Sequence, residues 1–217
     1  MRVSEAVAAR RSIRQFTDAP VPNDVVRDLL ERAARAPSGG NVQPWRIYVI
    51  NDEAMTRFRA TIGDSDIEPP EYEIYPPSLW EPYRTNRFAL GEQMYATLGI
   101  TRDDKAGRLR QFAKNQDFFG APAALFCFID RRMGPPQWSD LGMFLQTFML
   151  LAQEAGLDTC AQEFWSVHHA GVRAFVGAPD EELLFCGMAI GHADHETPVN
   201  SLTSDRMPLD EWATFVD

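Results

Sequence analysis

The chain has 217 residues, 45% of them hydrophobic and 24% charged, with 21 Lys+Arg against 31 Asp+Glu for a net charge of −10. That length is enough for one domain with a sizeable core. The acidic balance argues against a general nucleic-acid binder, whose phosphate contacts need a basic face, and favours a small-molecule partner.

In chain order, residues 4–11 read as a short helix that Ser4 could cap, with Val7 facing inward. Irregular chain follows through Pro20 and Pro22. A second helix starts at Asn23 or Asp24. Val25, Val26, Leu29, Leu30, Ala33 and Ala34 recur at helical spacing, and Pro37 ends it. Residues 36–45 (APSGGNVQPW) are loop, and RIYVIN (46–51) is a strand. A helix follows from about Glu53. Residues 64–83, rich in Pro, Asp, Glu, Tyr and Trp, show no period and read as a covering excursion. Helices are expected at 87–99 and 103–115.

The continuous apolar run 123–129 predicts a buried strand. Residues 138–157 form a long helix, apolar nearly all round, which predicts burial on every side. In so small a chain, part of that burial would come from a second subunit. Short strands at 158–164 and 183–191 enclose a helix near 168–176. The polar tail from His192 ends in apolar residues that should pack on something. Helices interleaved with a few strands give a mixed α and β fold. No repeat or low-complexity tract divides the chain, so 1–217 reads as a single domain with a variable, lid-like excursion at about 64–112.

Cys127, Cys160 and Cys186 lie in apolar surroundings, outside any C-x-x-C pair, and read as buried thiols in a reducing compartment. The N-terminal MRVSEAVAAR lacks the apolar stretch of a signal peptide. The apolar stretch Leu141–Ala152, broken by Gln146, is shorter than the roughly 20 residues of a membrane span. These features predict a cytoplasmic protein with no membrane contact. Neither G-x-G-x-x-G nor a P-loop nor a G-x-S-x-G elbow is present. His168, His169, His192 and His195 match no zinc spacing, so no metal site is expected.

What stands out is Arg10–Phe16 (RRSIRQF). Within residues 1–14, Arg2, Arg10, Arg11 and Arg14 face Glu5 alone. Each arginine by itself fits a solvated helix end. Together with Ser12 they offer forked donors and a hydroxyl that suit a phosphate-bearing ligand. A cofactor phosphate and a phosphorylated substrate of a hydrolase both satisfy that reading.

Four segments then resemble the FMN-dependent nitroreductase family: RRSIRQF; RAPSGGNVQPWRIYVI (35–50), which carries a Pro-Ser-x-x-Asn-x-Gln-Pro-Trp pattern leading into a strand; GLDTCAQEF (156–164); and GHADHETPVNSLTSDRMPL (191–209). SLWEPYRTNRFALGEQMY (78–95) is similar to the subgroup that includes nitrobenzoate-type nitroreductases. The resemblance implies an α+β nitroreductase-like fold: a mainly antiparallel central sheet flanked by helices, in an obligate homodimer with a long buried interface helix and FMN at the subunit interface. Carried over by position, Arg10, Arg11, Ser12 and Arg206 would hold the FMN phosphate and ribityl end, and Arg14 would lie near the pyrimidine edge. Pro37, Ser38, Gly39 and Asn41 would come from the other subunit. Asn115 would face the ring, and Gln162, Glu163 and Phe164 would offer backbone groups to N5 and O4. The chain departs from the family at Phe164, where glycine is frequent, and at Phe118 and Ser204, which are basic in some members. The implied activity is hydride transfer from NAD(P)H through flavin N5 to nitroaromatic or quinone acceptors by a ping-pong cycle, with no catalytic side chain required. Alternatives are a flavin-using relative with another reaction, such as dehalogenation or flavin breakdown, and a non-catalytic flavin module. Tyr72, Tyr75, Trp80 and Tyr83 could wall the cleft.

Overall fold

The computed structural model describes residues 1–62 and 67–216; the start of the predicted excursion, 64–66, lies outside them. Four strands form one sheet: β1 (Arg46–Asn51), β2 (Ala123–Asp130), β3 (Asp158–Gln162) and β4 (Glu182–Gly191), in the order β1-β2-β4-β3 with every pair antiparallel. The central strands β2 and β4 are apolar because both faces are covered. On β2, Leu125, Cys127 and Ile129 join one core layer, while Ala124, Phe126 and Phe128 join the other.

Helices supply the two covers. α2 (Asn23–Ala33) and α6 (Pro135–Glu154) pack on the first face through Val26, Leu29, Phe144 and Phe148. α3 (Asp52–Ile62) and α7 (His169–Val176) pack on the second through Met55, Phe58 and Val172. Phe58 meets Phe118, Phe126, Trp165 and Phe175 at centroid distances of 5.1–5.9 Å, an aromatic cluster that fills this layer. Trp165 lies over Gly187 so closely that a Cβ there would sit 2.3 Å from its Cδ1, so glycine is required at that point of β4. The three cysteines are buried and unpaired.

Several local expectations are corrected. α1 runs Val3–Ala9, and the Glu5 carboxylate accepts the Arg2 amide at 2.8 Å, so Ser4 is not the cap. Its buried residue is Ala6, whereas Val7 is 54% exposed. A helix this short, buried at a single position, has no period by which to phase it. Within this one protomer α6 buries one face, through Asp140, Leu141, Phe144, Leu145, Phe148 and Ala152, which leaves the expected share of a second subunit untested. Ser139, Gly142 and Met143 point outward, because a run apolar all round gives no clue to which side its own chain covers. The last apolar residues of the tail, Phe215 and Val216, stay 81% and 92% exposed among the described residues of this protomer.

From residue 67 the described chain is irregular as far as α4 (Tyr83–Thr97), which is followed by α5 (Lys105–Ala113). Its first described part docks on α7, where the Glu71 carboxylate receives Arg131 at 2.9 Å and Arg173 at 2.8 Å. Tyr72 is an anchor rather than a lid, packed edge-on against Trp138 at 5.1 Å and hydrogen-bonded to the Phe185 carbonyl. None of the described helices is long and apolar enough to cross a membrane.

Candidate functional site

The free edge of β3 is where the N-terminal arginines arrive. Ser12 forms a parallel bridge with Thr159, and the Ile13 amide donates to the Thr159 carbonyl at 3.1 Å. The chain then crosses the end of the sheet. The Phe16 amide donates to the Phe119 carbonyl at 3.1 Å, and Thr17 to that of His192 at 2.9 Å. Arg10–Arg14 therefore lie beside the strand that ends in Gln162 and turns at Glu163 and Phe164.

The C-terminal tail meets the same segment through Asn200, a residue that no motif singles out. Its Nδ2 donates to the Gln15 carbonyl at 2.7 Å and the Asp194 carbonyl at 2.9 Å, while its Oδ1 accepts the Arg14 amide at 2.8 Å. Its carbonyl accepts a long bond from Arg11 Nη1 at 3.5 Å. Lys114, also unanticipated, places its Nζ 2.9 Å from Gln15 Oε1 and adds a further cation here. Arg206 follows six residues after Asn200, but its guanidinium bonds only to Ser204 and the Asp205 carbonyl, so no direct contact joins it to Arg10.

Among the described residues, Arg10, Arg11, Arg14 and Arg206 have no carboxylate within ion-pair distance. Three of these, Arg10, Arg11 and Arg14, lie within five residues of one another beside β3, and uncompensated guanidinium groups in a protein of net charge −10 make that segment anion-seeking. Their field reaches the core: burial pushes the Cys160 thiol pKa up, while the charges of Arg14 and Arg10 oppose that shift.

Asn115 and Gln162 are brought together. Gln162 Nε2 donates to both the carbonyl and Oδ1 of Asn115 at 3.0 Å, and Asn115 Nδ2 donates to the Phe112 carbonyl at 2.8 Å. Gln162 Oε1 is buried with no hydrogen-bond partner, an unmet acceptor beside the arginines' strand. Phe164 contributes its ring to a cluster with Phe112 (5.5 Å), Trp165 (5.3 Å) and His168 (5.0 Å). Phe118, one of the departures noted in the sequence, is fully buried in the core.

Pro37, Ser38, Gly39 and Asn41 lie elsewhere, on the loop before β1. Buried Asp140 of α6 holds the Gly39 amide at 3.3 Å from each carboxylate oxygen, and Ser38 Oγ accepts the Gln43 amide at 3.0 Å. Gly40, Asn41 and Gln43 take left-handed conformations with φ of 58°, 59° and 51°. A Cβ built at Gly39 or Gly40 would meet no atom within 4 Å, so the loop's backbone stands open to an approaching group. No hydrogen bond among the described residues joins this loop to Arg10–Arg14 of the same chain.

The nitroreductase family model matches residues 7–192. A nitrobenzene nitroreductase from Ectopseudomonas oleovorans is 38% identical over 99% of this chain and 96% of its own length. A 4-nitrobenzoate reductase from Nocardioides sp. is 36% identical over 97% and 88%. Among solved structures, the FMN- and NADPH-dependent nitroreductase NfnB from Sphigopyxis sp. strain HMH superposes with a TM-score of 0.96 at 48% identity, covering all of both chains. The crossing of the arginine segment, the β3 turn and the tail thus sits in a fold shared along the full length with these proteins, and the chain belongs to the nitroreductase family.

Proposed function

We propose that this protein is an NAD(P)H-dependent FMN oxidoreductase that reduces nitroaromatic acceptors. The observation that supports this reading is the arrival of Arg10, Arg11 and Arg14, none with a carboxylate partner among the described residues, beside the strand that carries the Asn115–Gln162 pair, whose buried Oε1 lacks a donor. A phosphate joined to a flat ring bearing N–H donors fits both features: anion at one end, donor at the other. When bound, FMN supplies hydride acceptance and donation at N5, so the chain contributes no nucleophile of its own.

In this reading Arg10, Arg11, Ser12 and Arg206 hold the phosphate and ribityl end. Arg206 turns from Ser204 to do so. Arg14 keeps a permanent positive charge at the pyrimidine edge, where reduction leaves negative charge, and so raises the tendency to accept hydride. Asn115 and the backbone of Gln162, Glu163 and Phe164 position the ring. Pro37, Ser38, Gly39 and Asn41 reach the site of a partner subunit in a homodimer, in keeping with the absence of hydrogen bonds among the described residues between this loop and Arg10–Arg14 of one chain. NAD(P)H and the acceptor occupy the same face in turn, giving ping-pong kinetics, and quinones are accepted alongside nitroarenes. The protein is a single cytoplasmic domain whose 64–112 excursion covers the acceptor side.

The test is an absorption spectrum followed by turnover. The purified protein, or the protein after incubation with FMN and gel filtration, should carry flavin bands and oxidise NADPH when nitrobenzene is added. A preparation that stays colourless after FMN incubation overturns the reading.

A further inference from the structure

The excursion and α4 enclose a cleft of about 970 Å³. Trp80, Phe88 and Tyr95 give it aromatic walls, and Arg84, Arg87 and Arg108 line it with cations. Two of the three are already neutralised. Arg84 Nε lies 2.8 Å from Glu81, and Arg108 grips both oxygens of Glu92 at 2.7 and 3.0 Å. Arg87 has no carboxylate within ion-pair distance among the described residues. Its guanidinium carbon sits 4.1 Å from the centroid of the Tyr75 ring. Tyr75 in turn interacts with the Glu163 carboxylate, so a single ring separates Arg87 from the turn after β3.

One open cation among aromatic walls fits a flat ligand with a single negative charge. A phosphate monoester, such as the 2′-phosphate of NADPH, carries about −1.5 to −2 at neutral pH and calls for more than one free cation. Here the neighbouring arginines are occupied, and Glu81 and Glu92 repel surplus charge. A carboxylate or sulfonate carries one charge and matches the guanidinium fork.

We propose that Arg87 is a specificity residue that favours nitroarenes bearing a monoanionic substituent over neutral ones, a role that rests on the nitroarene reductase reading above. Arg87 grips a part of the acceptor that does not react. Its contribution is therefore equal in ground and transition states and falls on KM rather than kcat.

The test compares holoenzyme with Arg87→Gln and Arg87→Lys variants, using 4-nitrobenzoate and its neutral near-isostere 4-nitrobenzamide at saturating NADPH. The ratio of kcat/KM for the acid over the amide should fall about ten-fold in Arg87→Gln, the loss of one charge-assisted hydrogen bond, through KM. Arg87→Lys should recover part of it. Equilibrium titration with benzoate, which cannot be reduced, should show the same loss of affinity. An unchanged ratio, or a rise in the KM for NADPH with the acceptor ratio intact, overturns the proposal. The two readings fail separately. Absence of turnover with either nitroarene rejects the parent activity, while the benzoate titration still reports on Arg87. Turnover of 4-nitrobenzamide with an unaltered ratio rejects the Arg87 role alone.

Discussion

Asn200 does the most joining of any single side chain at the candidate site. It is 6% exposed, and its amide satisfies backbone groups of Arg14, Gln15 and Asp194 at once. An alanine there leaves three part-buried backbone groups unpaired, at a cost of about 2–3 kcal/mol. It also releases the arginine segment from the tail. Asn200→Ala should therefore lower the urea midpoint and lose flavin absorbance on gel filtration, whereas wild type keeps both; a variant with unchanged stability and full flavin content would show that the clip is dispensable. The arginines were legible in the sequence because four cations against one acid in fourteen residues is a local anomaly in an acidic chain. Asn200 was not, because asparagine in a proline-punctuated polar tail has the composition of any turn, and two of its three partner residues named above, Arg14 and Gln15, are 186 and 185 residues away. Gln162 was read for its backbone, yet its side chain makes the bonds to Asn115 and leaves the unmet acceptor.

At the scale of elements, β1 and the two central strands were readable because β-branched and apolar runs bounded by turn residues leave few alternatives. The excursion was not, since its structure comes from charged contacts with distant helices rather than from a period. Glu71 is its main fastening, shared between Arg131 and Arg173, with His169 Nδ1 at 3.6 Å. Burial by itself would raise the Glu71 carboxyl, but the hydrogen bonds from Arg131 and Arg173 outweigh it and hold the pKa below the ordinary 4.5. A depressed carboxylate contributes stability above the unfolded-state pKa and loses it as pH falls through the folded value. Glu71→Gln should cost about 1–2 kcal/mol at pH 7. The gap to wild type in urea denaturation should narrow as pH drops below about 4.5. A gap that stays constant from pH 7 to pH 3.5 would remove the carboxylate's charge from the account.

At the scale of the whole molecule, apolar surface is left uncovered in two groups of helices. α6 presents Ser139, Gly142 and Met143 outward, and next to it Val3 and Val7 of α1 are exposed. α4 has no buried residue at all, and Leu109 and Phe112 of α5 point to solvent. So much apolar surface on one chain fits a permanent protein partner. The open loop bearing Pro37–Asn41 is pinned to α6, because Asp140, which holds Gly39, lies one helical turn before Met143. Bringing two such faces together would carry each loop to the neighbouring chain, where the arginine segment lacks one. Oligomerisation and cofactor retention should therefore fail together. Met143→Glu sets like charges against each other across a two-fold seam while leaving the protomer core untouched, since Met143 is 38% exposed. Sedimentation should find wild type at twice the 24.5 kDa chain mass and the variant near one chain mass. The variant's circular dichroism should be unchanged, and its flavin should be lost on dilution. A variant that is monomeric yet holds FMN as firmly as wild type would place the whole site within one chain and remove the partner's loop from it.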